Sequence, residues 1–360
     1  MPTPVAKAWR GAIDDPLTIR PAVHPMQKSQ TRTITVVGAG IVGLWQALTL
    51  ARRGFAVRLV ERSAEPFTQA ASTLAGAMLA PYCEAEAAEP VVRELGLRSL
   101  ALWRDTYPGV TANGTLVVAG TRDRAELTRF ARLTDGYAKL DADELHALEP
   151  GLEGRFATGL YFGAEAHMVP AEAMRFLLDA ARSAGAAVAL ATNWPDDGNR
   201  NDIVIDCRGL AARADLADLR GVRGERVIVR AREVELARPV RLLHPRHPLY
   251  VVPWGAGCYM VGATVIESDD ASPVTVRSAL ELLGSAYALH PGFAEAEIVD
   301  IGAGVRPAFI DNVPRIVVRG RVIHVNGLYR HGFMLAPVLA ELVAEHLATG
   351  ATDDRVFRMQ

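Results

Sequence analysis

The run Gly38-Ala39-Gly40-Ile41-Val42-Gly43 places glycines at the spacing G-x-G-x-x-G. That spacing suits one task, holding a diphosphate against a backbone turn. Gly38 permits the tight turn, Gly40 lets the diphosphate approach the main chain, and Gly43 lets a helix pack closely on a strand. The anion then faces a helix N-terminus, where free N–H groups and the macrodipole favour negative charge. Further on, Glu61 can accept hydrogen bonds from an adenosine ribose, with Arg62 beside it. An acid at that point disfavours the extra phosphate of NADP. The glycines alone do not separate FAD from NAD, nor from a glycine turn that holds no nucleotide.

The flanking residues supply the elements such a turn needs. Ile34, Val36 and Val37 read as a buried strand. Ala47, Leu48, Leu50 and Ala51 recur at helical spacing up to Gly54, and Ala56–Val60 reads as a second strand ending at Glu61. Downstream, helices are expected over 90–107, 170–182 and 275–289, and strands over 115–119, 187–191 and 203–206. Several β-rich runs between Val227 and Thr264 suggest an antiparallel sheet. The chain closes with a strand at 322–325 and a helix from about Pro337 to Ala348, stopped by Gly350. Parallel βαβ units at both ends therefore flank a β-rich middle. The expected class is α/β (α+β overall), a Rossmann-like domain with an inserted antiparallel-sheet domain.

Composition narrows the function. Half of the 360 residues are apolar, 22% are charged and the formal net charge is −2. No basic excess marks a nucleic-acid partner. No unbroken apolar run reaches about 18 residues, so no membrane span is expected. Cys83, Cys207 and Cys258 are too few and too scattered for a disulfide framework or a thiolate metal site, and no metal is expected. Residues 1–31 do not read as a secretory signal. They are expected to form a disordered extension, and the protein to be cytoplasmic.

The remaining motifs carry a resemblance. They are Ala71-Ser72-Thr73-Leu74-Ala75-Gly76-Ala77-Met78-Leu79-Ala80-Pro81, Leu148-Glu149-Pro150, Tyr250-Val251-Val252-Pro253 and Val261-Gly262-Ala263-Thr264. Gly304-Val305-Arg306-Pro307, Asp311, Pro314 and the run from Gly327 to Pro337 complete the set. Over about residues 33 to 350 the chain resembles the D-amino-acid oxidase superfamily, and most of all the glycine oxidases of thiamine biosynthesis. The resemblance implies non-covalent FAD, because no cysteine follows Cys258 to attach a flavin near the C-terminal motif. It assigns residues 32–86, 155–212 and 300–352 to the FAD-binding domain, and 87–154 and 213–299 to the substrate domain. Arg306 becomes the substrate-carboxylate clamp, with Tyr250 donating its hydroxyl and Arg330 as a second basic group. Flavin contacts are expected from Ser72, Thr73, Ala75, Gly76, Ala77, Met78, Cys207, Gly209, Arg330, His331, Gly332, Phe333, Met334 and Leu335. The helix beginning near Pro337 would point its positive end at the flavin.

Two further expectations concern neighbouring residues. His331 reads as structural rather than catalytic, and Glu84 and Glu86 as a solvated loop. The segment Ala191–Ile203 departs from the superfamily by being short. The implied activity is oxidative deamination of a small amino acid, glycine foremost, with O2 as the other partner, in a homo-oligomer. A D-amino-acid or sarcosine oxidase or dehydrogenase, and a non-catalytic dinucleotide-binding protein, remain alternatives.

Overall fold

The structure is a computed structural model and describes residues 33–194 and 202–360. The expected extension 1–31 lies outside those residues. The chain opens as its glycine pattern requires. β1 (Ile34–Val37) is buried throughout, α1 (Ile41–Arg52) follows the turn, and β2 (Val57–Val60) pairs parallel to β1. Next come β3 (Met78–Leu79), α2 (Pro81–Glu84), α3 (Pro90–Thr106), β4 (Thr115–Ala119) and α4 (Arg124–Leu133). They are followed by β5 (Ala138–Leu140), α5 (Ala142–Leu148), β6 (Gly159–Phe162), β7 (Ala166–His167), α6 (Pro170–Ser183), β8 (Ala187–Ala189) and β9 (Ile203–Asp206). The rest comprises β10 (Arg220–Arg230), β11 (Val240–Leu243), β12 (Leu249–Pro253), β13 (Cys258–Gly262) and α7 (Val276–Leu289). Last are β14 (Glu297–Ala308), β15 (Arg315–Arg319), β16 (Val322–Asn326), α8 (Gly332–Thr349) and β17 (Phe357–Met359).

Two large sheets result. A 7-stranded sheet runs β17-β15-β16-β9-β1-β2-β8, parallel except for the β15–β16 hairpin. Its apolar runs, such as Ile34–Val37, suit strands covered on both faces. An 8-stranded sheet runs β14-β10-β13-β12-β11-β4-β6-β5, antiparallel apart from β4 beside β11. Its two faces do different work. Val227, Val229, Val251 and Val261 point to a core shared with Leu282 and Leu289 of α7. The alternate positions, which carry Arg241, Tyr250 and Arg306, face the other way, because side chains alternate along a strand.

Several segments sit elsewhere than the sequence division places them. α3 packs on α1 and α8, with Leu95 and Trp103 fully buried in the core of the parallel sheet. β6 and β14 belong to the 8-stranded sheet, and β17 adds a strand to the parallel sheet. Local patterning predicts the helix over 90–107, whereas β6, β14 and β17 are not among the expected strands. It does not show which sheet or core buries a segment.

α8 begins at Gly332, not near Pro337, which lies inside the helix. A proline in that position cannot donate to the carbonyl four residues earlier, that of Phe333. The indole of buried Trp103 donates to that carbonyl instead, at 2.7 Å. The proline is thereby tolerated, and α8 extends a further turn toward the site. By length and composition α8 could cross a membrane, but over half of it is buried inside the protein against α1 and α3, as for a core helix.

Trp103→Phe keeps most of the ring volume and removes the donor. The buried Phe333 carbonyl then loses its partner, and unfolding should become easier by about 1–3 kcal/mol. Chemical denaturation of the two proteins measures this; equal midpoints would show that the indole bond is not needed.

Candidate active site

The turn after β1 is built as its glycines suggest. Gly38 has φ +97°, and a Cβ there would lie 2.9 Å from the Cys207 carbonyl oxygen. A Cβ on Gly43 would lie 1.8 Å from the carbonyl oxygen of Gly38, so only glycine allows α1 to start this close. Gly40, the N-cap of α1, has no side chain to cap it, and the first turn carries no acid; the Ile41 amide donates to Ser72 Oγ at 3.1 Å. The positive helix end is left for an anion. The Ala39 amide donates to Glu61 Oε2 at 2.8 Å and the Ser63 amide to Oε1 at 3.0 Å. The carboxylate is thereby fixed at the end of β2, and each oxygen retains acceptor capacity.

A continuous cavity joins this turn to the polar face of the 8-stranded sheet. At the β2 and β8 ends it is lined by Glu61, Arg62, Thr192, Asn193 and Trp194. The α1 turn contributes Gly38, Gly40, Ile41 and Val42. Beyond them Ser72, Ala75, Gly76, Ala77 and Met78 form one wall and Cys207 and Gly209 another. Tyr250, Arg306, Arg330, His331, Gly332, Phe333 and Met334 close the far end. The expected site residues thus converge from distant parts of the chain. Four of them do not line the cavity. Ala39 is fully buried and acts through its amide, and Gly43 serves packing. Thr73 donates its hydroxyl to the Ala70 carbonyl at 2.9 Å, and Leu335 is fully buried in the core.

The cavity fits a flavin dinucleotide on the structure's own terms. It brings together a helix N-terminus whose cap is glycine and whose first turn carries no acid, and a carboxylate fixed at the end of β2. A Cβ on Gly40 would reach within 3.6 Å of Ser72 Oγ, across the space where a diphosphate approaches the turn. The start of α8 also lines the cavity, at Gly332 rather than at Pro337.

At the far end, cross-strand register sets the side chains. Arg241 on β11 stands opposite Tyr250 on β12, and Tyr250 opposite Gly262 on β13. Gly76 brings the β2–β3 segment against this row, since a Cβ there would lie 3.0 Å from the Tyr250 ring. On β14, Arg306 folds over β10. A Cβ on Gly224 would lie 2.0 Å from its Nη2, so the guanidinium rests on bare backbone. Nη1 donates to the Thr264 carbonyl at 3.2 Å and the Arg223 carbonyl at 3.4 Å. Among the described residues no carboxylate lies within ion-pair distance of Arg306. Burial, aided by the nearby Arg330 charge, pulls its pKa below the usual arginine value. It remains partly accessible because it faces the cavity.

The other cations are paired. Glu84 was expected in a solvated loop; instead it closes α2, with its side chain only 13% exposed. Its carboxylate receives Arg330 at 3.1 Å, His331 Nε2 at 2.9 Å and Arg241 through Nη2. Burial alone would raise its pKa. Arg330 and Arg241, with His331, outweigh that and hold the carboxyl well below the usual range. Behind it, buried Glu165 accepts the Cys83 amide at 2.7 Å, while its Oε2 has no partner. Burial pushes Glu165 up to about 7. Glu84, Arg241 and Gly224 escape sequence reading. The face of β10 and β11 was unknown, and an acid after a loop motif looks like surface.

The comparisons with known proteins follow this geometry. Residues 33–346 match the family described as FAD dependent oxidoreductase. The chain belongs to that family. It is 51% identical over 317 residues to a provisionally named thiamine biosynthesis oxidoreductase of Rhizobium etli, covering 88% of this chain and 96% of that protein. It is 31% identical to a D-amino-acid oxidase of Rubrobacter xylanophilus, covering 76% and 81%. The crystal structure of a glycine oxidase from Geobacillus kaustophilus superposes with a TM-score of 0.74 at 24% identity, covering 89% and 96%, which supports the fold. As a member of the family this chain is an FAD-dependent oxidoreductase.

Two outcomes test the site. Gly224→Ala should displace the Arg306 guanidinium, the movable partner in that contact, while leaving the fold and bound FAD intact. Binding of small carboxylates should then weaken at least tenfold by flavin difference spectroscopy. Unchanged affinity would show that the guanidinium does not rest there. For Glu165, a raised folded pKa means stability is full below 4.5 and is lost as pH rises through about 7. Glu165→Gln, a neutral mimic, should flatten that fall, worth up to about 3 kcal/mol. The difference in unfolding free energy between the two proteins from pH 4 to 8 checks it; a pH-independent difference would refute the assignment.

Proposed function

We propose that the chain oxidises glycine, or a similarly small amino acid, to the imine, which hydrolyses to glyoxylate and ammonia while O2 becomes hydrogen peroxide. The carrying observation is Arg306, a cavity-facing guanidinium with two backbone acceptors and, among the described residues, no carboxylate partner. A cation left this way is completed by an anionic ligand, and its planar fork suits a substrate carboxylate. Tyr250, on the same polar face of the 8-stranded sheet, adds a hydroxyl donor. The segment Ala75-Gly76-Ala77 lies against Tyr250 and leaves little room for a substrate side chain.

FAD, when bound, would supply the redox chemistry, as acceptor of the substrate hydride and donor of electrons to O2. The protein's part is to hold the carboxylate so that the α-C–H is aimed at the flavin, a positioning task. Glu84 keeps Arg330 and His331 in place, so Arg330 is occupied and Arg306 remains available. No acid–base pair is assigned, because an amine that enters neutral requires none. The names of the Rhizobium etli and Geobacillus kaustophilus proteins support this reading and its place in thiamine thiazole synthesis.

Anaerobic addition of glycine should bleach the flavin absorbance, and air should restore it with one peroxide per turnover. Flavin left oxidised by glycine, sarcosine and small D-amino acids alike would sink the proposal. Bleaching without peroxide on return of air would point to a dehydrogenase. Arg306→Ala should lower kcat/KM by roughly a hundredfold or more, since each charge-assisted bond contributes about 1.5–3 kcal/mol. A loss under tenfold in steady-state assays would remove the clamp.

A further inference from the structure

The other end of the cavity carries a feature that oxidation of a small amino acid does not use. The β8–β9 connection is tied to the end of β2. The Thr192 amide donates to the Glu61 carbonyl at 3.0 Å and the Ala191 amide to the Ser63 carbonyl at 3.1 Å. From this anchor Trp194 reaches toward the end of β9, where its ring lies 4.9 Å from the Arg208 guanidinium carbon, face-on. Both side chains line the cavity, together with Glu61 and Arg62.

Arg208 is not free to act as a phosphate ligand. Its Nε and Nη2 donate to the two oxygens of Asp206 at 2.9 and 2.7 Å, and Nη2 also reaches Asp215 at 2.7 Å. Asp206 is fully buried and is gripped from behind by His324 Nδ1 at 2.9 Å. The guanidinium is thus a fixed, flat plate. An indole set on such a plate is itself held in place, and a flat aromatic surface suits stacking by a nucleobase.

Position identifies the base. The pair stands beside Glu61, the acid placed to hold the adenosine ribose, at the opposite end of the cavity from Arg306. We propose that Trp194, braced by Arg208, is the adenine-holding surface of this chain and decides how tightly the adenosine half of FAD is bound. The proposal rests on FAD as the cofactor and is independent of the amino acid oxidised.

The test uses the full-length chain after removal of flavin, titrated with FAD and, in competition, with ADP. Trp194→Ala should weaken FAD and ADP by the same factor, about ten- to a hundredfold. Trp194→Phe should stay within about threefold of the unmodified chain, and Trp194→Leu, with apolar bulk but no aromatic face, should resemble the alanine variant. The proposal is overturned if Trp194→Ala binds FAD as tightly as the unmodified chain. It is equally overturned if FAD weakens while ADP does not, or if leucine serves as well as phenylalanine. Failure of the unmodified chain to take up FAD would instead overturn the cofactor itself.

Discussion

A charge taken from water without a partner is among the most expensive features a fold can hold. Leaving one buried ion uncompensated costs on the order of 3–5 kcal/mol, against a net stability of about 5–15 kcal/mol for a whole domain. Arg306, half-buried, bears part of that cost. It has two carbonyl acceptors, a glycine backbone beneath it and, among the described residues, no counter-ion, and burial already disfavours its charge. The tension is limited because the guanidinium faces the cavity, where the carboxylate of the proposed substrate would restore the balance. The rest of the site is arranged so that no internal acid does so first.

Glu84 is the acid nearest to that role, and it is engaged elsewhere. One carboxylate is shared by Arg241, Arg330 and His331, and the three hold it ionised despite burial. Arg241 in turn bonds the Cys83 carbonyl, tying the 8-stranded sheet to α2. Arg330 and His331 sit at the entry to α8, so the same ion cluster fixes the helix end that lines the cavity. The cavity-lining start of α8 and the pairing of Arg241 and Arg330 therefore depend on one buried acid.

How much of this was readable from the residues divides along physical lines. The β1–α1–β2 turn was legible because glycine spacing and a terminal acid are local requirements. The Arg306 and Tyr250 pair was reached through resemblance, not through pattern. Glu84 was misplaced because burial among Arg241, Arg330 and His331, all distant in the chain, leaves no local trace. The start of α8 was misread because Pro337 looks like a helix opener. Only the long-range indole bond from Trp103 shows why a proline is accepted further inside. Gly224 reads as an ordinary strand glycine until a guanidinium is seen lying across it.

The central claim is that Arg306 recognises a carboxylate by charge. Acetate and acetamide have nearly the same shape and differ in that charge. Titrating the oxidised holoenzyme with each, and following the flavin spectrum, tests the claim without turnover. Acetate should shift the spectrum and compete with glycine, acetamide should do neither at the same concentrations, and Arg306→Ala should abolish the difference. Equal binding of the two ligands, or acetate binding that survives loss of the guanidinium, would contradict it.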